Sequence, residues 1–324
     1  MRGKALKASR HRSGEAWCRN AAGTPPVRKA LLALLAFGLL HGTAPSLPGQ
    51  WGGGRGSGGE GWLSEDAPLR TAREVPGHSV ETPTWRNDPG FERDVWTFAR
   101  LRYHRNPYGP RRAGYCFTDF PDSDLNFSWR LQQLTSLRVD PDGRVLRLTD
   151  PDLSDHPFLY VVEPGGMDLE PDELKALGAY LRNGGFLMAD DFWGPLEWGN
   201  FEQQIRRALP GAGFVELPMD HPVFHSVFDL GTSKNALQTP NFRAGENSQY
   251  TGVTWEYHDG EECREVHIRA VFDERGRMMV IACHNTDNGD GWEREQEYQY
   301  FFREFSEKRA YPLGVNILVY TLTH

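Results

Sequence analysis

Two segments of this chain are apolar on both faces at once. "FLYVV", Phe158 to Val162, is bounded by Pro157 and Pro164, and "GFLMADD" follows the glycine pair Gly184 and Gly185. A strand with water on one side alternates polar and apolar residues. A strand without that alternation is covered on both faces, as in the middle of a parallel sheet. Between the two lies "LEPDELKALGAYLRN". Pro171 falls in a first helical turn, where its missing N–H costs little, and Asp172 and Glu173 suit the positive helix end. Gly184 supplies the left-handed stop. Strand, helix, strand at this spacing is a βαβ unit.

The same alternation continues on either side. "DVWTFARLRYH", Asp94 to His104, alternates and is rich in aromatics, which suits a first strand. In "SDLNFSWRLQQLTSLRV", Leu125, Trp129, Leu131 and Leu134 recur at helical spacing behind Ser123, a capping residue type. "RVLRLTD" reads as a short strand, Trp198 to Leu209 as a helix and "GFVELP" as another strand. "VHIRAVFDERGRMMVIACHNTD" holds two strands joined by a tight turn at Glu274 to Gly276. "GWEREQEYQYFFREFSEKR" is helical and charged, and "YPLGVNILVYTLTH" is a last, apolar helix. The expected fold class is α/β: a three-layer sandwich with a mostly parallel central sheet, one domain over residues 91–324.

The N-terminal part is built differently. Arg28 and Lys29 precede "ALLALLAFGLL", Ala30 to Leu40, and "HGTAPSLPGQW" follows. A basic flank, a short apolar run and a small-residue exit make a secretory signal peptide. The run is too short for a bilayer, which takes about 20 residues. An uncleaved membrane anchor is the other reading of the segment. Residues 1–49 are assigned to a signal peptide with a polar lead, and a start nearer Val27 would give that lead an ordinary length. The expected location is outside the cytoplasm: periplasm, cell envelope or extracellular. Residues 50–90 open with "WGGGRGSGGE" and read as a Gly/Pro-rich linker, disordered or loosely docked. The net charge of −8, without a basic stripe, argues against a general nucleic-acid binder. Of the cysteines, Cys18 would leave with the signal. Cys116, Cys263 and Cys283 remain, as buried thiols or with a Cys263–Cys283 bridge. No C-x-x-C spacing exists to build a zinc ribbon.

Ligands of an open parallel sheet bind beyond the carboxyl ends of its strands. The polar residues expected there are Asp119 in "TDFPDSDLN", Glu163 after one strand, and Asp190 and Asp191 after the next. His221 and His225 stand in "DHPVFH", and His284, Asn285 and Asp287 follow "MMVIAC". Carboxylates and imidazoles together suit acid–base chemistry or a divalent metal such as Zn, Mn or Fe. The same residue types also cap helices and tie loops. The spacing of His221 and His225 lacks the following Glu of a metalloprotease motif. Adjacent strand residues point to opposite faces, so Asp190 and Asp191 are expected to divide their labour. One faces a ligand and the other ties a loop. Trp193 and Trp292 beside them offer aromatic faces to a sugar. No G-x-S-x-G elbow or P-loop is present, and G-x-G-x-x-G occurs only inside the glycine-rich run at 52–61, not between a strand and a helix.

"FTDFPDSDLNF", "DHPFLYV", "LRNGGFLMADDFWG", "DHPVFH", "HNTDNGDGWERE" and "YPLGVNILVYTLTH" together resemble the bacterial family known as domain of unknown function 4159, over roughly Phe98 to His324. That resemblance implies a class I glutamine amidotransferase-like fold, a flavodoxin-like sandwich, and many members are exported or membrane-attached. It does not carry the amidotransferase reaction to this chain. Those enzymes need a Cys at the turn after a central strand, with a downstream His and Glu. Here the corresponding turn is Glu163 to Gly166, without a thiol. Cys116 lies in another loop and Cys283 within a strand.

The expected function is an exported, non-catalytic ligand-binding or envelope-associated module on a scaffold lacking the nucleophile. Its partner would be a small molecule or glycan, or envelope proteins. Membrane contact would come only through an uncleaved signal segment. Two alternatives stay open. One is a metal- or carboxylate-assisted hydrolase that activates a water with Asp190, His221 and His284. The other is a structural part of an envelope complex. The sequence requires no cofactor, and a divalent metal fits the second case.

Overall fold

The computed structural model describes residues 63–77, 81–90, 94–107 and 115–324. The expected signal segment and the glycine-rich start of the linker lie outside the described residues. Among the described residues, no helix is long and apolar enough to cross a membrane.

Seven strands form the main sheet, in the order β3 (Arg144–Leu146), β1 (Ala99–Leu101), β4 (Phe158–Val162), β6 (Phe186–Phe192), β9 (Met278–His284), β8 (His267–Phe272) and β7 (Val215–Glu216). The first five run parallel, whereas β8 is antiparallel to both its neighbours. A small antiparallel pair, β2 (His104–Arg105) and β5 (Met167–Asp168), lies apart. The α/β class and the mostly parallel sheet are as the sequence implied.

The strand β4 shows why both faces had to be apolar. Leu159 and Val161 pack in one core with Leu177 and Leu181 of α2 (Pro171–Arg182) and Phe201 and Ile205 of α3 (Gly194–Ala208). Phe158, Tyr160 and Val162 alternate into a second core. That core holds Phe127 and Leu131 of α1 (Asp122–Leu134), Trp292 of α5 (Asn288–Glu293), and Leu313 and Ile317 of α7 (Tyr311–Thr323). The period-2 pleat thus sorts one apolar run into two layers. Two further helices, α4 (Phe242–Thr251) and the short α6 (Gln299–Phe301), lie between these elements in the chain, and α6 continues through a π-helical stretch, Phe302–Ala310, into α7.

Some boundaries differ from the sequence reading. The first strand is three residues rather than eleven, and Trp96 makes only an isolated bridge to Val139. Ser123 does not cap α1, because Pro121 stands at the N-cap and Ser123 lies inside the helix. Residues 63–77 are a packed strap, not loose linker. Ala72 is buried, its N–H donates to Asp142 O (2.8 Å), and Val145 N–H donates to Arg70 O (2.8 Å). Leu63, Leu69 and Val75 rest on the first core. These few apolar residues dock the strap although its composition is that of a linker. Cys116, Cys263 and Cys283 are buried without a disulfide, and burial pushes the Cys116 thiol up to about 12.

Arg100 of β1 is fully buried and ties β1 to α1. Its Nε donates to Asp124 Oδ2 (3.0 Å), its Nη2 to Ser123 Oγ (2.9 Å) and to Asp124 Oδ1, and its Nη1 to Thr118 O (3.0 Å). This pair fixes where the loop before α1 meets the sheet. Removing one partner strands a buried charge, so Asp124→Ala should cost about 3–5 kcal/mol in unfolding free energy, read from the denaturant midpoint.

Candidate functional site

Four loops converge on the carboxyl edge of the parallel strands. They are the segment before α1, the turn after β4, the β6–α3 turn and the loop after β9. Each contains a non-glycine residue with left-handed backbone: Asp119 (φ 61°), Glu163 (φ 47°), Asp191 (φ 54°) and Asn285 (φ 61°). Only one other described non-glycine residue, Gln296, shares that conformation. Such strain persists where the surroundings over-determine it, and it gathers at functional sites.

Asp190 holds the loops together. Its Oδ2 accepts from Tyr160 Oη (3.0 Å), Asn288 N (2.9 Å) and Gly289 N (3.0 Å), and its Oδ1 accepts from Asn288 Nδ2 (2.7 Å). The side chain is wholly buried. Burial raises its pKa to about 6, with the four hydrogen bonds working the other way. Asp191 lies within a register shift of β6, between Ala189 and Phe192, a bulge that re-aims the chain. It points elsewhere and is held by Trp193 Nε1, which donates to its Oδ1 (2.9 Å). The two neighbours therefore divide their roles: Asp190 is an anchor and Asp191 enters the site.

Asp119, Asp191 and Asp287 each bring a carboxylate oxygen within 4.8 Å of the others. Asp119 Oδ2 is buried and has no hydrogen-bond donor. Its position is closely defined: a Cβ on Gly289 would stand 2.3 Å from that oxygen and 2.9 Å from Tyr160 Oη. Asp287 caps α5, its Oδ1 accepting from Asp290 N (2.7 Å). Glu163 borders the cluster and accepts from Tyr115 N (2.9 Å) and Thr118 Oγ1 (2.9 Å), which ties the segment carrying Asp119 to β4.

Charge is poorly balanced here. Burial, then Asp290, raises Asp119 well above the usual carboxylate range. Burial, then Glu163 and Glu256, does the same to Asp191. Burial, then Asp191 and Asp119, does so to Asp287. Arg100 is committed to Asp124, and Arg294 is paired with Glu293. Like charges that share a dry site must take up protons or a cation.

The expected histidines are not part of this centre. His284 is buried under Phe192 and Trp198, with its Nε2 2.9 Å from Gly194 O. A carbonyl only accepts, so that nitrogen carries the proton. Burial lowers the imidazole to about 3. It is a neutral packing residue. His221 packs on Phe272 and Tyr320 (ring centroids 6.1 and 5.2 Å), where β8 ends and β9 begins, the opposite edge of the sheet. His225 is exposed and bonded to Asp229 and Met219 O. The constellation of Asp190, His221 and His284 is therefore not assembled, and an oxygen-only cluster stands in place of a mixed nitrogen and oxygen set. Asn285 is structural: its Oδ1 accepts from Gly194 N (2.8 Å) and its Nδ2 donates to Glu265 O (2.7 Å). Trp193 and Trp292 are 1% and 0% exposed, so neither ring offers a face to a sugar.

Three acidic residues escaped the sequence reading. Asp290 accepts from Phe242 N (2.7 Å) and Glu256 from Asn241 N (2.7 Å), and Glu293 lies one turn after Asp290. Asp290 and Glu293 stand three apart in "NTDNGDGWERE", a spacing that puts both on one helix face. That spacing was the available signal.

The family described as Domain of unknown function (DUF4159) matches residues 97–322. The chain belongs to this family. Every residue of the carboxylate cluster falls within the matched region. Among curated proteins no match is found.

The two adjacent aspartates separate anchoring from function. Asp190→Ala orphans four buried donors and should lower unfolding free energy by about 4 kcal/mol or more, since each costs about 1–3 kcal/mol. Asp191→Asn keeps an acceptor for Trp193 and removes a repelled charge, so stability should hold or rise. Chemical denaturation of both variants measures the contrast.

Proposed function

We propose that this member of the family binds a hard divalent cation at the carboxyl edge of its sheet and uses the ion to hold an oxygen-rich anionic ligand. The observation that carries this reading is the buried, donor-less Asp119 Oδ2 set among the carboxylates of Asp191 and Asp287. Oxygens bound to one Ca²⁺ at 2.3–2.6 Å lie at most about 5 Å apart, which matches the spacing here. An all-oxygen set favours Mg²⁺, Ca²⁺ or Mn²⁺ over zinc.

The scaffold reading is a class I glutamine amidotransferase-like one without the thiol. Its support is the order of the five parallel strands, first strand second from the edge, and the turn at Glu163 to Gly166 without a Cys. Export through residues 28–40 is supported by the basic flank and short apolar run, and it would place the domain in the cell envelope or outside it. A second reading, hydrolysis by an ion-activated water, is favoured by the strained backbone at Asp119, Glu163 and Asp191.

The test couples pH to the ion. Asp290 titrates near 6 in the fold, above its ordinary value of 3.8. Its stabilising protonation is complete below the unfolded value and is lost as pH rises through about 6. Asp190 follows the same direction. Ion-free protein should therefore melt lower at pH 8 than at pH 5. At pH 8, Mg²⁺, Ca²⁺ or Mn²⁺ at 100 times its dissociation constant adds about 2.7 kcal/mol. That corresponds to a rise of about 5–10 °C for a domain of this size. Thermal melts that no divalent ion moves would remove the reading.

A further inference from the structure

The acidic cluster does not end at Asp191 and Asp287. Asp119, Asp290 and Glu293 form a second set whose oxygens also lie within 4.8 Å of one another. Asp119 belongs to both sets. Asp290 is only 5% exposed; Arg294 Nε lies at ion-pair distance from its Oδ1 (3.6 Å), and its carboxyl shares a hydrogen bond with that of Glu293. The other oxygen of Asp290 is already used by Phe242 N. One donor-less buried acceptor, Asp119 Oδ2, and two carboxyls that meet by sharing a proton, which a cation would displace, thus occur in one set of three.

We infer that the edge is built for two divalent cations, with the Asp119 carboxylate bridging them. Asp191 and Asp287 would complete one ion's protein ligands, and Asp290 and Glu293 the other's. The inference rests on the cation reading above and adds the second ion and the bridge. Charge supports the number. Arg294 offsets one of the five carboxylates in the two sets, and two divalent ions offset the other four. A single divalent ion would leave two of these carboxylates to be neutralised by protons, which a second ion displaces.

The geometry also names a ligand class. Paired ions about 3.5–4 Å apart bind an oxyanion across both, as phosphate esters and phosphate itself are bound. Asp119, Glu163 and Asp191 are partly exposed, while Asp287, Asp290 and Glu293 are buried, so a ligand would come from the side of the first three. A tetrahedral oxyanion would therefore meet the bridged face of the pair.

Calorimetric titration of Mn²⁺ into the ion-free chain, followed by electron paramagnetic resonance of the loaded protein, tests this. The expected result is two ions per chain with an exchange-coupled spectrum in place of six isolated lines. Asp290→Asn, which keeps the acceptor for Phe242 N, should bind one ion with an uncoupled spectrum. Asp119→Asn should weaken binding of both at least tenfold. Added inorganic phosphate should bind the two-ion protein and not the Asp290→Asn form. Two uncoupled ions would overturn the bridge. One ion in the unaltered chain would overturn this inference while leaving the single-cation reading intact. No ion would overturn both. The titration of the unaltered chain decides the matter even if a variant fails to fold, which circular dichroism would report.

Discussion

Asp190 is the fixed point from which the carboxyl edge is arranged. Its four hydrogen bonds join the end of β6 to β4 through Tyr160 and to the loop after β9 through Asn288 and Gly289. With that loop held, α5 starts where Asp287 and Asp290 face back toward the sheet. With Gly289 held, its missing side chain leaves the space in which Asp119 Oδ2 sits. The carboxylates are brought together by an anchor that is itself fully satisfied. Their mutual repulsion is therefore carried by the fold, and relieving it is left to a proton or a cation. Sites that keep such unrelieved repulsion are commonly functional, because stability alone would select it away.

The sheet explains why the cluster lies on this edge. Parallel strands send every βα turn to the same side, so Glu163, Asp191 and the residues after His284 share a rim without any sequence proximity. The buried Arg100–Asp124 pair then fixes the chain before α1, which brings Asp119 to that rim. The cores on either side of the sheet are apolar. Electrostatic effects between the carboxylates are correspondingly stronger than they would be in water.

Much of this was readable from the chain. The two-faced apolar runs at Phe158 to Val162 and Phe186 to Ala189 gave the central strands with almost their true limits. The opposed directions of neighbouring strand residues anticipated the split between Asp190 and Asp191. What was not readable came from long-range placement. His221 follows β7, which points it to the carboxyl edge, but the chain doubles back after Leu217 and delivers it beside Phe272. His284 is on the right edge, yet it is turned into the packing around Trp198. Trp193 and Trp292 were placed correctly along the chain, but their depth depends on helices packed from distant segments. Burial of the strap at Ala72 is of the same kind.

The central claim is that the carboxylates around Asp119 are cation ligands. An anomalous-difference map from crystals grown at neutral pH with saturating Mn²⁺ tests it most directly. A peak is expected about 2.1–2.3 Å from oxygens of Asp119, Asp191 and Asp287, in the range of oxygen ligands to hard divalent ions. A map without density there, with the carboxylates hydrogen-bonded to one another instead, would contradict it.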